Sequence, residues 1–337
     1  MITFLVALFA WVYFTDNPQA DSSFLRSLVH WDAWLYLDVA RFGYAPQSTN
    51  VAFYPVFPFL IRFVSVGLFK DLELTSVITS SVLISQLTSL VVVYCLYDIC
   101  VKYIRPQAAL LCVVIWSIGP AAVFLSVGYT EALFMALVLC GFVQAGKSNW
   151  IGAGVLIAVA CMTRPVGIFA YFVVALIYIR SRPHNGNNPA VSHVRLIGLI
   201  FPLIALSTHH YLQYTYFGKA FENVRLEQVV WGRRPIMPWK FPDYIIGQIG
   251  NPATSMEWRT VSLYFALYVI MSIVLCVYLC RMSDVPIYYK IYTVLIIISI
   301  VCQTSIMAIP RFMMVGFPLL IALAEWCDKR HDGRSLF

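Results

Sequence analysis

Residues 75–99 run through apolar and small side chains with a single formal charge, Asp98, near the end. A helix needs about 20 such residues to cross the hydrocarbon of a bilayer. No water reaches the backbone there, so only helices or closed barrels satisfy its N–H and C=O groups. The run has companions at residues 1–14, 107–125, 131–145, 151–163, 166–179, 196–214, 261–280, 291–309 and 312–326. About ten spans result when the length criterion is applied loosely. Across the 337 residues, 61% are hydrophobic and 12% charged, where a soluble domain has about a quarter charged. The expected fold is therefore all-α, a polytopic membrane protein, with one domain covering residues 1–337.

Lysine and arginine in short loops orient such a chain. Lys102 with Arg105, Lys147, Arg180 with Arg182 and Arg195, Arg281 with Lys290, and Lys329 with Arg330 and Arg334 fall on one side. That side is expected to be cytoplasmic. The parity works only if residues 53–69, which contain Pro55, Pro58 and Arg62, form a re-entrant or interfacial hairpin rather than a span. The first long region, residues 15–74, and a second loop, residues 215–259, then share the opposite, non-cytoplasmic face. Residues 1–14 lack a basic start and a small-residue cleavage site follows nowhere nearby, so they read as a first span rather than a signal peptide. Residues 181–192, rich in Asn, Pro and Gly, form the one loose linker.

The formal charge of +7 is dispersed among loops and forms no basic stripe, which argues against nucleic acid as a partner. The nine cysteines sit in or at the ends of apolar runs without a Cys-x-x-Cys pattern. They read as small apolar residues rather than a disulfide or zinc framework. No phosphate loop, Ser-His-Asp arrangement or Asp-x-Asp pair is present. Asp71-Leu72-Glu73 comes nearest to that pair and reads as a solvated turn.

Chemistry concentrates elsewhere. His30-Trp31-Asp32-Ala33-Trp34-Leu35 leads through Asp38 and Arg41 to Gly43-Tyr44. Trp31, Trp34 and Leu35 recur at helical spacing, so residues 31–42 read as an amphipathic helix lying on the bilayer. Its alternative role is an aromatic anchor with solvated charges. Asp32, between two tryptophans at membrane depth, is a carboxylate that must be used or paired. Glu131, Arg164 and Arg311 join Asp32, Asp38 and Arg41 at the same face. A carboxylate beside a hydroxyl acts as a general base, and arginines stabilise charge building on a departing phosphate. That combination suits transfer of a group from a lipid phosphate to an alcohol. Each residue also has a structural role open to it. Asp38 and Arg41 sit three apart and are expected to pair, Glu131 suits a helix start, and Arg164 and Arg311 can reach headgroups.

At these residues the chain resembles the PIG-V family, the second GPI mannosyltransferases, within the GT-C class. Four ordered blocks carry the resemblance: His30-Trp31-Asp32-Ala33 through Gly43-Tyr44; Phe53-Tyr54-Pro55 with Phe57-Pro58; Pro120 through Gly128-Tyr129-Thr130-Glu131-Ala132-Leu133-Phe134; and Arg164 with Gly167. Arg311-Phe312 is a fainter fifth. The resemblance implies a multi-pass enzyme of the endoplasmic reticulum membrane that acts in the lumen. It would transfer mannose from dolichyl phosphate mannose to the first mannose of a GPI precursor, forming an α-1,6 bond. It maps the family's Trp-Asp pair onto Trp31 and Asp32. With the chemistry above, Asp32 is the expected catalytic base in an inverting displacement, His30, Trp31, Arg41, Tyr44, Tyr129, Glu131, Arg164 and Arg311 are expected to bind substrate, and no metal or other cofactor is expected. The partners implied are the lipid-linked donor, the GPI acceptor and the membrane, with room for a small accessory membrane subunit. Arg164 is followed by Pro165, where the family more usually has a small polar residue.

Two other classes compete. A transporter or lipid-sugar flippase would place ionisable residues near the bilayer midplane, often in two related halves, and no halves are evident here. A non-catalytic subunit of a glycosyltransferase complex would tolerate loss of Asp32.

Overall fold

The computed structural model describes residues 24–46, 48–125, 127–181, 189–251, 255–306 and 309–331. The expected first span, residues 1–14, lies outside them, as do residues 182–188 of the linker and Arg334. Among the described residues every regular element is a helix. In chain order these are α1 (Phe24–Ser27), α2 (Ala33–Phe42), α3 (Val56–Phe69), α4 (Leu74–Cys100), α5 (Pro106–Ile118), α6 (Glu131–Gly146), α7 (Trp150–Cys161) and α8 (Gly167–Arg180). They continue as α9 (Pro189–Phe217), α10 (Glu222–Val230), α11 (Phe241–Gly250), α12 (Met256–Arg281), α13 (Ile287–Val301), α14 (Ile309–Met313) and α15 (Pro318–His331). The chain divides into two compact units, residues 1–95 with 116–223 and residues 96–115 with 224–337.

In the first unit, α2 buries Ala33, Tyr36, Leu37 and Ala40, the i, i+3, i+4, i+7 face that helical periodicity selects. Trp31 and Trp34, the residues that suggested the amphipathic face, are exposed instead. Gly43, at φ +81°, ends the helix. Arg62 of α3 donates to the carbonyls of Ala40 at 3.0 Å and Arg41 at 3.2 Å, satisfying acceptors that a helix C-terminus leaves open. Segment 53–69 is not a hairpin: residues 56–69 form one continuous helix. Its prolines explain this, because Pro55 is the N-cap and Pro58 lies in the first turn, where helix N–H groups lack intrahelical partners anyway.

The long helix α4 turns Ser76, Ser80, Ser81 and Ser85 inward. Ser85 donates to the Ser81 carbonyl at 3.0 Å, and such small polar residues let apolar helices approach closely. Helices α7 and α9 meet at backbone contact. A Cβ built on Gly154 would fall on the carbonyl of Gly198, and one on Gly198 would fall on the carbonyl of Trp150. Side chains from α2, α3, the start of α4 and the start of α6 make one core around Tyr36, Phe57, Ile61, Ile78 and Tyr129.

In the second unit, α12 packs with α11, α13 and α15. Tyr289 sits edge-on to Tyr103 at 5.9 Å and to Phe317 at 5.3 Å, and Arg105 pairs with Asp328 at 3.0 Å. The expected loop 215–259 is largely helical, containing α10 and α11.

Helices α4 and α12 are long and apolar enough to cross a membrane. The outward face of α12 carries Leu263, Leu267, Ile270, Val274 and Val277, an apolar stripe that fits hydrocarbon better than water. Six further helices are apolar but shorter, among the described residues, so ten full spans are not seen. Helix α5 stops before Gly119-Pro120, and the expected span 312–326 is split between α14 and α15 around Gly316. Proline removes a ladder donor and ends the regular helix.

Candidate functional site

The turn His30-Trp31-Asp32 precedes α2. Trp31 adopts φ +48° and is 76% exposed. A bulky residue in the left-handed region carries strain of about 1–3 kcal/mol, which persists only where its surroundings impose it. One tie on this turn comes from Tyr129. This buried phenol donates to the backbone carbonyl of His30 at 2.8 Å, and its ring packs edge-on to Tyr36 and Phe124. The same carbonyl accepts the Ala33 N–H at 3.1 Å. Asp32 occupies the N-cap of α2 at intermediate exposure, and its side chain does not cap the helix. His30 is exposed, its ring 5.5 Å from that of Trp31.

Two residues beyond Tyr129, Glu131 opens α6, a position that favours a negative charge. Its carboxylate is fully buried and accepts from Arg164 Nη1 at 2.5 Å. The Arg164 guanidinium also lies 5.9 Å from the Phe134 ring. Burying two charges is stable only when they are paired with good geometry, so Glu131 and Arg164 fix α6 to the α7–α8 corner. The corner itself needs Gly167, since a Cβ there would sit 2.7 Å from the Cys161 backbone. A further tie runs from the Val56 N–H to the Met162 carbonyl at 3.2 Å. The four sequence blocks thus converge on one locus: block one on block three through His30–Tyr129, block three on block four through Glu131–Arg164, and block one on block two through the Tyr44 hydroxyl and the Phe53 carbonyl.

Arg41 does not take Asp38. Its Nε donates to the Leu72 carbonyl at 3.0 Å while its guanidinium lies 4.7 Å from the Phe42 ring, and Asp38 faces outward. A carbonyl fixed by the α3–α4 turn is reached without holding two exposed side chains together, which makes surface pairs weak. Tyr44 donates to the Phe53 carbonyl at 2.8 Å. Burial, with Tyr36 nearby, pushes its phenol well above the ordinary value, so Tyr44 stays a neutral donor. Arg311 is buried on α14 in the second unit, its guanidinium 5.3 Å from the Phe312 ring. Sequence reasoning missed the capping role of Arg62, which showed only as a charge interrupting an apolar run.

A family model described as Mannosyltransferase (PIG-V) matches residues 13–238, well over half of the chain and all four converging blocks. The chain belongs to the PIG-V mannosyltransferase family. Among curated relatives, GPI alpha-1,6-mannosyltransferase 2 of Rattus norvegicus is 31% identical over 156 residues, covering 44% of this chain and 31% of that protein. The protein of the same name from Homo sapiens matches with the same identity and coverage. GPI mannosyltransferase 2 of Schizosaccharomyces pombe is 28% identical over 167 residues, covering 48% of this chain and 35% of the relative. The matched stretch therefore spans about a third of the length of these PIG-V relatives. No solved structure matches the chain. Arg311 lies beyond the PIG-V match.

Proposed function

We propose that this PIG-V family member transfers mannose from dolichyl phosphate mannose to the first mannose of a GPI precursor, forming an α-1,6 bond at the lumenal face of the endoplasmic reticulum. The observation that carries this reading is the hydrogen bond from Tyr129 to His30. It holds the exposed Trp31-Asp32 turn on the element that also opens with the buried Glu131–Arg164 pair. A fixed acidic turn, partly open to solvent and backed by a rigid polar core, is what base catalysis on a delivered alcohol requires.

In this reading Asp32 accepts the proton of the acceptor's primary hydroxyl as that oxygen attacks the anomeric carbon of β-linked mannose. The new C–O bond forms as the bond to phosphate breaks, the configuration inverts, and dolichyl phosphate leaves with the bonding electrons. The phosphate needs no general acid, only charge stabilisation. Arg41 suits that part: its guanidinium has five N–H donors, and among the described residues Nε alone is spent, on Leu72. Trp31 and Tyr44 frame the sugar, and His30 orients the turn. Glu131 and Arg164 act as positioning residues, because each is engaged by the other. Arg311, in the second unit, is given no step.

Mass analysis of GPI precursors in cells lacking the protein tests the assignment. A one-mannose precursor should accumulate and disappear when the full chain is restored. Accumulation of a different precursor, or none, overturns it.

A further inference from the structure

Within the first unit a cavity of about 350 Å³ opens beside this locus, in the size range of small-molecule sites. Phe53, Pro55 and Met162 wall one side, and His209, Leu212 and Gln213 of α9 wall the other. No charged side chain lines it. His209 and Gln213, one helical turn apart, are 6% and 3% exposed. His209 Nε2 and both amide atoms of Gln213 make no hydrogen bond among the described residues. The neighbouring His210 contrasts with them, since its Nδ1 lies 2.8 Å from the Ala220 carbonyl. The His209 ring is also fixed in plane. It stacks on Tyr54 at 4.3 Å and 20°, and the Tyr54 hydroxyl accepts from Asn223 Nδ2 at 3.2 Å.

Buried polar atoms are nearly always paired, so two such side chains facing one apolar chamber specify a ligand. It must be hydrocarbon over most of its volume and uncharged at its buried polar end, because nothing here compensates an ion. It must accept from an imidazole or amide N–H and donate to the Gln213 carbonyl oxygen. A polyprenyl chain carries no such atoms along its length. We propose that this cavity binds the acyl end of a lipid, with an ester or amide carbonyl and an adjacent O–H or N–H meeting His209 and Gln213. Tyr44, placed at the sugar above, also lines the cavity, so the inference rests on that reading of the site; labelling read without turnover keeps its failure distinct from a failure of the transfer reaction.

The test is photolabelling of the purified full chain in vesicles with a diazirine-bearing monoacylglycerol, and in parallel with a diazirine-bearing polyprenol. Monoacylglycerol should label peptides containing Met162 and residues 209–217, and unlabelled monoacylglycerol should compete. His209→Phe with Gln213→Leu keeps the shape and removes the polar atoms. It should lower that labelling about tenfold, the loss expected for roughly one or two hydrogen bonds, with the unfolding temperature unchanged or raised. Should that pair fail to fold, Leu212→Trp, on the partly exposed rim, should block labelling by bulk. Equal labelling by the polyprenol, labelling indifferent to these variants, or none at the cavity overturns the proposal, the second outcome marking the polar atoms as water-bound structure.

Discussion

Tyr129 and His30 stand 99 positions apart in the chain, yet the phenol of one holds the backbone carbonyl of the other at 2.8 Å. Through that bond a strained, exposed turn is anchored to a buried core. Tyr129→Phe keeps the ring packing and removes only the bond. It should cost about 1 kcal/mol of stability, the net worth of a typical hydrogen bond. It should also slow the proposed mannose transfer severalfold, because the turn that carries Asp32 is then held less firmly. Thermal unfolding read beside kcat and KM separates the two effects: a purely structural role leaves kcat of the folded fraction untouched.

Asp32 lies at intermediate exposure and does not cap α2. Asp32→Asn keeps the size of the side chain and removes its charge, so it should leave the chain folded and abolish the proposed transfer. Expression level and complementation of a mannosyltransferase-deficient cell are the measurements. Normal complementation removes Asp32 from the mechanism.

The Glu131–Arg164 pair is the costliest feature to break. Glu131→Gln or Arg164→Met alone removes one half of the buried pair and should destabilise by about 3–5 kcal/mol. Glu131→Leu with Arg164→Met removes both charges and should regain much of that loss. A double-mutant cycle of unfolding free energies reads the coupling. Additive losses show that the two residues do not act as a pair.

Gly154 and Gly198 bring α7 and α9 to backbone contact. Gly154→Val has no space to enter and should cost about 1–3 kcal/mol or more by overpacking. Gly146, at the end of α6, has nothing within 4 Å of a built Cβ. Gly146→Ala should be neutral or stabilise by about 0.4–1 kcal/mol through the unfolded chain. Unfolding temperatures of the two variants in the same detergent decide the matter.

Much of this was legible in the chain itself. The 31/34/35 spacing predicts a helix where α2 stands, although the face it buries is 33/36/37/40, and the apolar run at 75–99 predicts α4. The expectations that failed were those resting on proximity in sequence. Asp38 and Arg41 are neighbours on a helix, but Arg41 turns to a carbonyl supplied by Leu72. Pro55 and Pro58 look like breakers, but they fall where a helix begins. Glu131 is readable as a helix-start charge, which it is. Its burial against Arg164 carries no local signal, and neither does the bond of a tyrosine to a distant backbone oxygen.

Sequence alone determined that the chain is helical and apolar, and which blocks carry the family resemblance, because hydropathy, periodicity and residue type are local properties. Which partner each polar group takes was decided only by the tertiary structure. Pairing depends on who is left within reach once water is excluded, and that is set by the folding together of distant segments: Tyr129 onto His30, Arg164 onto Glu131, Arg62 onto the end of α2.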